Sequence, residues 1–139
     1  VDLETAVAID NADIGSLGYL TNSKVRGKLK TTEKAANTAQ FVWGDGSEPG
    51  MGTVNGYSAG ATNQVPSNLT KGTSSGVCSG VIFGNWNDLL IGEWGAMEII
   101  VDPYAKKKRG LVEVTSFCMA DIAVRHPESF AAMVDALTA

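Results

Sequence analysis

The chain is short of the residues that most catalytic and metal chemistry needs. It has one histidine, His126, and two cysteines, Cys78 and Cys118, in 139 residues. A Ser-His-Asp or Cys-His relay would have to pass through His126, which stands directly before Pro127, where a residue at a helix start is the plain reading. No Cys-x-x-Cys or His-x-x-x-His spacing exists, which excludes the common zinc arrangements. Asp10, Asp13, Asp45 and Glu48 invite a calcium site but lack the regular ligand spacing of a calcium loop. Gly44-Asp45-Gly46 has no lysine after it, and its carboxylates repel phosphate, so it is no phosphate cradle. Two cysteines make no disulfide scaffold; each is expected to fill a small core site, which fits a reducing compartment. No apolar run approaches the roughly 18 residues of a membrane span. No cofactor, metal or membrane partner is therefore expected. The chain opens at Val1 without an initiator methionine, as expected of a piece of a longer protein.

Hydrophobic residues make up 44% and charged residues 19%, proportions of a folded domain and not of a disordered tail. The net charge of −4 argues against a dedicated, sequence-specific nucleic-acid partner. Leu3 to Ile14 reads as a helix with Leu3, Val7 and Ile14 on one face, Asp2 at its cap and Gly15 at its end. Leu17 to Leu20 reads as a strand, and Thr21-Asn22-Ser23 as the start of a second helix reaching about Thr31. Gly44 to Gly52 is too rich in glycine to continue a regular element and reads as a long loop. Val54 to Val65 is a weak strand candidate, and Pro66 to Gly76 a turn-rich linker. Beyond it, Val81–Phe83, Leu89–Ile91, Met97–Val101 and Leu111–Val124 read as strands. The last of these is clean on neither face. His126-Pro127-Glu128 is expected to open a final helix striped by Phe130, Met133, Val134 and Leu137. The sum is an α+β chain with antiparallel pairings. Lys106-Lys107-Lys108-Arg109 gathers four cations in the connection between two strands, either a solvated tip or an electrostatic contact.

The order of the pieces is more specific than any one of them. Val81-Ile82-Phe83-Gly84-Asn85-Trp86 is followed by Leu90-Ile91-Gly92-Glu93-Trp94-Gly95. Met97-Glu98-Ile99-Ile100-Val101-Asp102-Pro103-Tyr104 comes next, and Ala120-Asp121-Ile122-Ala123-Val124-Arg125-His126-Pro127-Glu128-Ser129-Phe130 closes the block. This series resembles the C-terminal part of tailed-bacteriophage major capsid proteins with the Hong Kong 97-like fold. Upstream, Gly18-Tyr19-Leu20-Thr21-Asn22 resembles that family's strand leading into a helix. Asn85 and Trp86 depart from its usual Asp and Phe, and Met119 stands near a usual Arg.

The resemblance implies a fragment of the Hong Kong 97-like capsid fold: an axial-domain portion at 1–88, then peripheral-domain strands and a terminal helix returning to the axial domain at 89–139. It implies a homo-oligomeric shell subunit that forms hexamers and pentamers, assembled in a bacterial cytoplasm and located in the virion capsid. It places Gly44, Asp45, Gly46 and Glu48 in a loop near the ring axis, and Lys106, Lys107, Lys108 and Arg109 at a tip near a threefold contact between rings. Some relatives crosslink through an Asn near that tip; none stands here, so that chemistry is not carried over. An encapsulin-type compartment shell shares the fold and is the alternative. A small hydrolase using His126 with Asp121 or Glu128, or a ligand-binding module built on Phe41–Gly52, are rivals of other classes.

Overall fold

A computed structural model describes residues 1–46, 48 and 50–138, and the chain divides into two compact units, Val1–Asp88 with His126–Ala139, and Leu89–Arg125. In the first unit, helix α1 (Asp2–Ile9) leads to strand β1 (Leu17–Thr21) and helix α2 (Ser23–Thr31). Strands β2 (Trp43–Asp45), β3 (Met51–Val54), β4 (Tyr57–Ala61), β5 (Leu69–Lys71) and β6 (Ser74–Asn85) follow. The second unit holds β7 (Leu89–Asp102) and β8 (Glu113–Val124); β9 (Phe130–Leu137) then returns to the first.

Among the described residues the first unit builds a seven-stranded sheet ordered β2-β3-β4-β1-β6-β5, with β9 also on β6. β1 and β4 run parallel, and the other pairs are antiparallel. β6 is the shared member. Phe83 is paired with both Tyr19 of β1 and Ala131 of β9, and Cys78 with both Leu69 of β5 and Leu137 of β9. β1 and β5 therefore share one edge of β6, and β9 takes the other.

Side chains alternate across a strand, so Tyr19 and Phe83 share a face. Their rings lie 4.6 Å apart, and Tyr57 meets Phe83 edge-on at 5.2 Å. Val7 of α1 and Val25 of α2 close over this face with Trp43, Ala59 and Val81 to form the core. Asn22 caps α2 by accepting a hydrogen bond from the Val25 amide at 3.0 Å, as the sequence indicates. The Glu4 carboxylate on α1 accepts from the Tyr19 hydroxyl and from Asn55 Nδ2. One side chain thus ties a helix, a central strand and a hairpin turn together. That turn is Asn55-Gly56, with φ of 54° and 88°, the left-handed pair that a two-residue hairpin requires.

Several expectations are corrected. The first helix ends at Ile9, not Ile14. Val1 occupies its N-cap position and Asp10 its C-cap, and Asn11 turns left-handed at φ 54°. Asp and Asn are weak helix formers that accept this conformation, and Ile14 is left exposed. The final helix is instead β9. Its residues would support a helical stripe, but the free edge of β6 offers a ladder of backbone hydrogen bonds, and tertiary pairing overrides weak propensity. The small side chains Ala131 and Ala136 pack against the core there. Pro127 lies in a single 3-10 turn, Pro127–Ser129, ahead of the strand. The supposed long loop is a hairpin, since Gly44 and Asp45 pair with Thr53 and Gly52. Cys78 is buried as expected, whereas Cys118 is exposed.

Phe83 is 1% exposed at the centre of this packing, and Phe83→Ala should lower unfolding free energy by about 3–5 kcal/mol. Urea denaturation measures this, and a loss below about 1 kcal/mol would contradict the core assignment. Burial and the Glu4 carboxylate together push the Tyr19 hydroxyl well above the usual tyrosine range. The unfolded chain then loses this proton first, so stability is full below about pH 10 and falls as pH rises beyond it. Tyr19→Phe should flatten that alkaline loss in pH-dependent thermal melts; an unchanged slope would remove the linkage.

Candidate functional site

The second unit is a two-stranded ribbon, β7 against β8, joined by the tip at 103–112. Its register assigns the faces. Ile91 opposes Ile122, and Val101 opposes Val114, on a face shared with Leu89 and Val124. On the other face Trp94 opposes Met119, Glu98 opposes Phe117, Ile100 opposes Thr115, and Asp102 opposes Glu113. A bulge lies between Trp94 and Glu98, where Gly95 takes φ 77°. It sets three residues of β7 against Cys118 alone, so both faces continue unbroken past it. Ile91, Trp94, Ile99, Val114, Phe117, Met119 and Ile122 are each more than half exposed. Apolar surface on this scale, on both sides of a lone ribbon, marks a surface meant for cover.

The tip is set by local chemistry. Asp102 Oδ1 accepts from the amides of Tyr104 and Ala105 at 2.7 and 3.2 Å, turning the chain at Pro103. A 3-10 turn over Lys107–Arg109 ends at Gly110 in the left-handed region. Lys106 Nζ lies 2.9 Å from Glu113 Oε2 and so relieves the like-charge opposition of Asp102 and Glu113 across the strands. That pair is half exposed and adds little to stability. Lys107, Lys108 and Arg109 make no ion pair among the described residues.

The other expected contact residues separate. Gly44 and Asp45 belong to β2 at a sheet edge, Gly46 follows it, and Glu48 lies in the bend. Residues 47 and 49 of that stretch lie outside the described residues. An open depression of about 390 Å³ adjoins it, lined by Lys30, Lys34, Phe41 and Asp45. A larger apolar cleft of about 440 Å³ runs beside α2 and is lined by Val25, Leu29, Trp43, Val81 and Leu137.

One polar cluster was not singled out from sequence. Ser129 Oγ donates to Asp88 Oδ2 at 2.8 Å, and both residues are buried. Asn85 Nδ2 donates to the same oxygen at 3.0 Å, while Asn85 Oδ1 accepts from the amides of Ser16 and Asn87. An aspartate at position 85 would set a second carboxylate against Asp88 with no proton to offer, so asparagine suits the site. Beside it Trp86 Nε1 donates to the Gly18 carbonyl at 3.1 Å, and its ring meets Phe130 edge-on at 5.5 Å. His126 and Glu128 line the shallow space next to this cluster. The Ser129 hydroxyl is spent on Asp88 and not aligned by an imidazole, so the cluster holds the chain in place. No group of three or more metal-ligating side chains gathers among the described residues.

A profile of the phage capsid family matches residues 1–135. The chain belongs to that family. A major capsid protein of Halomonas phage phiHAP-1 is 32% identical over 130 residues, which is 94% of this chain and 19% of that protein. A solved capsid of an empty GTA particle, computed with C5 symmetry, shares the fold with a TM-score of 0.64 at 19% identity, over 94% of this chain and 44% of that one. This phage capsid family chain therefore spans about a fifth of the curated relative it matches.

Ser129→Ala should cost about 1–3 kcal/mol, because it strips a buried carboxylate of a donor. Glu128→Ala, one residue away on the surface, should cost within about 0.5 kcal/mol. Equal losses in thermal or urea melts would mean that the Ser129–Asp88 bond has no special weight.

Proposed function

We propose that this chain is part of the major capsid protein of a tailed phage or prophage, a structural shell subunit with the α+β Hong Kong 97-like fold and no catalytic role. In this reading the first unit belongs to the axial domain and the ribbon to the peripheral domain. Copies form hexamers and pentamers that close into an icosahedral shell, assembled in the host cytoplasm and retained in the virion. Gly44, Asp45, Gly46 and Glu48 lie at the ring axis, and Lys106 to Arg109 contact a neighbouring ring.

The ribbon carries this reading. A lone two-stranded ribbon is marginal in water, and an enzyme gains nothing from two exposed apolar faces. The ribbon's faces need cover, which the rest of the longer protein and neighbouring copies supply in an assembled shell. Closed symmetric assembly then multiplies individually weak contacts into a stable shell. The family membership and the capsid fold of the solved relative support the same conclusion.

Electron microscopy of the full-length protein should show closed, uniformly sized shells, and a protein that stays monomeric at high concentration would overturn the proposal. His126→Ala in the same protein should leave shell yield unchanged. A lost hydrolytic activity in that variant would instead favour an enzyme.

A further inference from the structure

We infer that the basic tip of one copy docks on the Glu98-bearing face of the ribbon in a second copy, so that subunits meet tip to face. The inference rests on the shell reading above and names the tip's partner.

The ribbon segment Leu89–Arg125 carries five acidic and five basic residues, but four of its five cations gather at the tip. Lys106 already has Glu113, while Lys107, Lys108 and Arg109 have no ionic partner among the described residues, and neither does Glu98. Glu98 makes no pair with the tip of its own copy among the described residues. It stands four residues back from Asp102 along β7, roughly 13 Å at 3.3 Å per residue, which sets it well away from the tip.

The face around Glu98 has the chemistry that basic side chains select. Glu98 is directly opposite Phe117, with Trp94 and Met119 as the next rung and Ile100 with Thr115 on the other side. The Trp94 indole lies back over Gly92, where an added Cβ would come within 3.2 Å of the ring, so an aromatic plane lies along the strand. Lysine and arginine bury aliphatic stems on such a surface, stack cationic heads on the rings and end on the carboxylate. The opposite face offers aliphatic rungs such as Ile91–Ile122 and Val101–Val114, with Glu93 as its charged member, and suits an apolar occupant. Tip and face are different patches, so each copy gives one and receives one. Such a head-to-tail contact closes into a ring when its rotation allows.

Charge exchange in the full-length subunit tests this. Lys107→Glu with Lys108→Glu and Arg109→Glu, or Glu98→Lys alone, should each lower the sedimented shell fraction at low salt about tenfold. Combining both sets should restore it to within about threefold of wild type. Replacing the three cations by glutamine should weaken the salt dependence of assembly, with circular dichroism confirming the fold of every variant. Normal assembly of the single sets, or no recovery in the combination, overturns the contact while wild-type shells keep the shell reading. A wild-type protein that forms no shells removes both.

Discussion

The first unit depends on a single closure. Its chain leaves at Asp88 and returns at His126, and the buried hydrogen bond from Ser129 to Asp88 holds departure and return together. A buried carboxylate is tolerated only with donors, and Asn85 and Ser129 supply them. With the ends held, β9 is delivered in register to the open edge of β6. That strand in turn presents Phe83 to the aromatic cluster beneath the helices. Gly84 is part of the same arrangement: a Cβ there would meet the Phe130 ring and come within 2.5 Å of the Ser129 carbonyl oxygen.

The two units divide the physical work. The first has helices on one sheet face, a shared aromatic core and a carboxylate clamp at Glu4 that joins three elements. The ribbon has a regular ladder and a well-turned tip but, among the described residues, its unit holds no further layer, and its side chains remain exposed. The first unit is held by its own core, and the second presents its side chains to whatever covers it.

Sequence patterns revealed the elements whose signals are local. The Asn22 cap, the strand through Leu17–Leu20 and the long strand ending at Val124 all lie where turn chemistry and periodicity put them. The Asn55-Gly56 hairpin was equally readable from its dipeptide, yet the weak strand pattern around it obscured the signal. What was not readable depended on partners far away in the chain. Phe130 to Leu137 has a helix-like stripe and becomes a strand because β6, some fifty residues earlier, has an edge to fill. The glycines at 44 and 52 suggested a loop, but opposite Thr53 and Asp45 they permit a tight strand pair, since a Cβ at 44 would strike Thr53 and one at 52 the Trp43 ring. The cations at 106–109 were visible from composition alone. The faces of the ribbon needed the register, because exposed apolar residues stand on both sides of each strand and give no polar face to orient by.

That bulge has an arithmetical consequence. Three residues of β7 stand against one of β8, a mismatch of two, and side chains repeat every second position along a strand. An excess of two leaves the odd- and even-numbered residues of β7 on the same sides before and after the bulge, so the alternation runs straight through it. The bulge therefore bends and twists the ribbon without interchanging its two surfaces, and each side carries one continuous chemistry from base to tip.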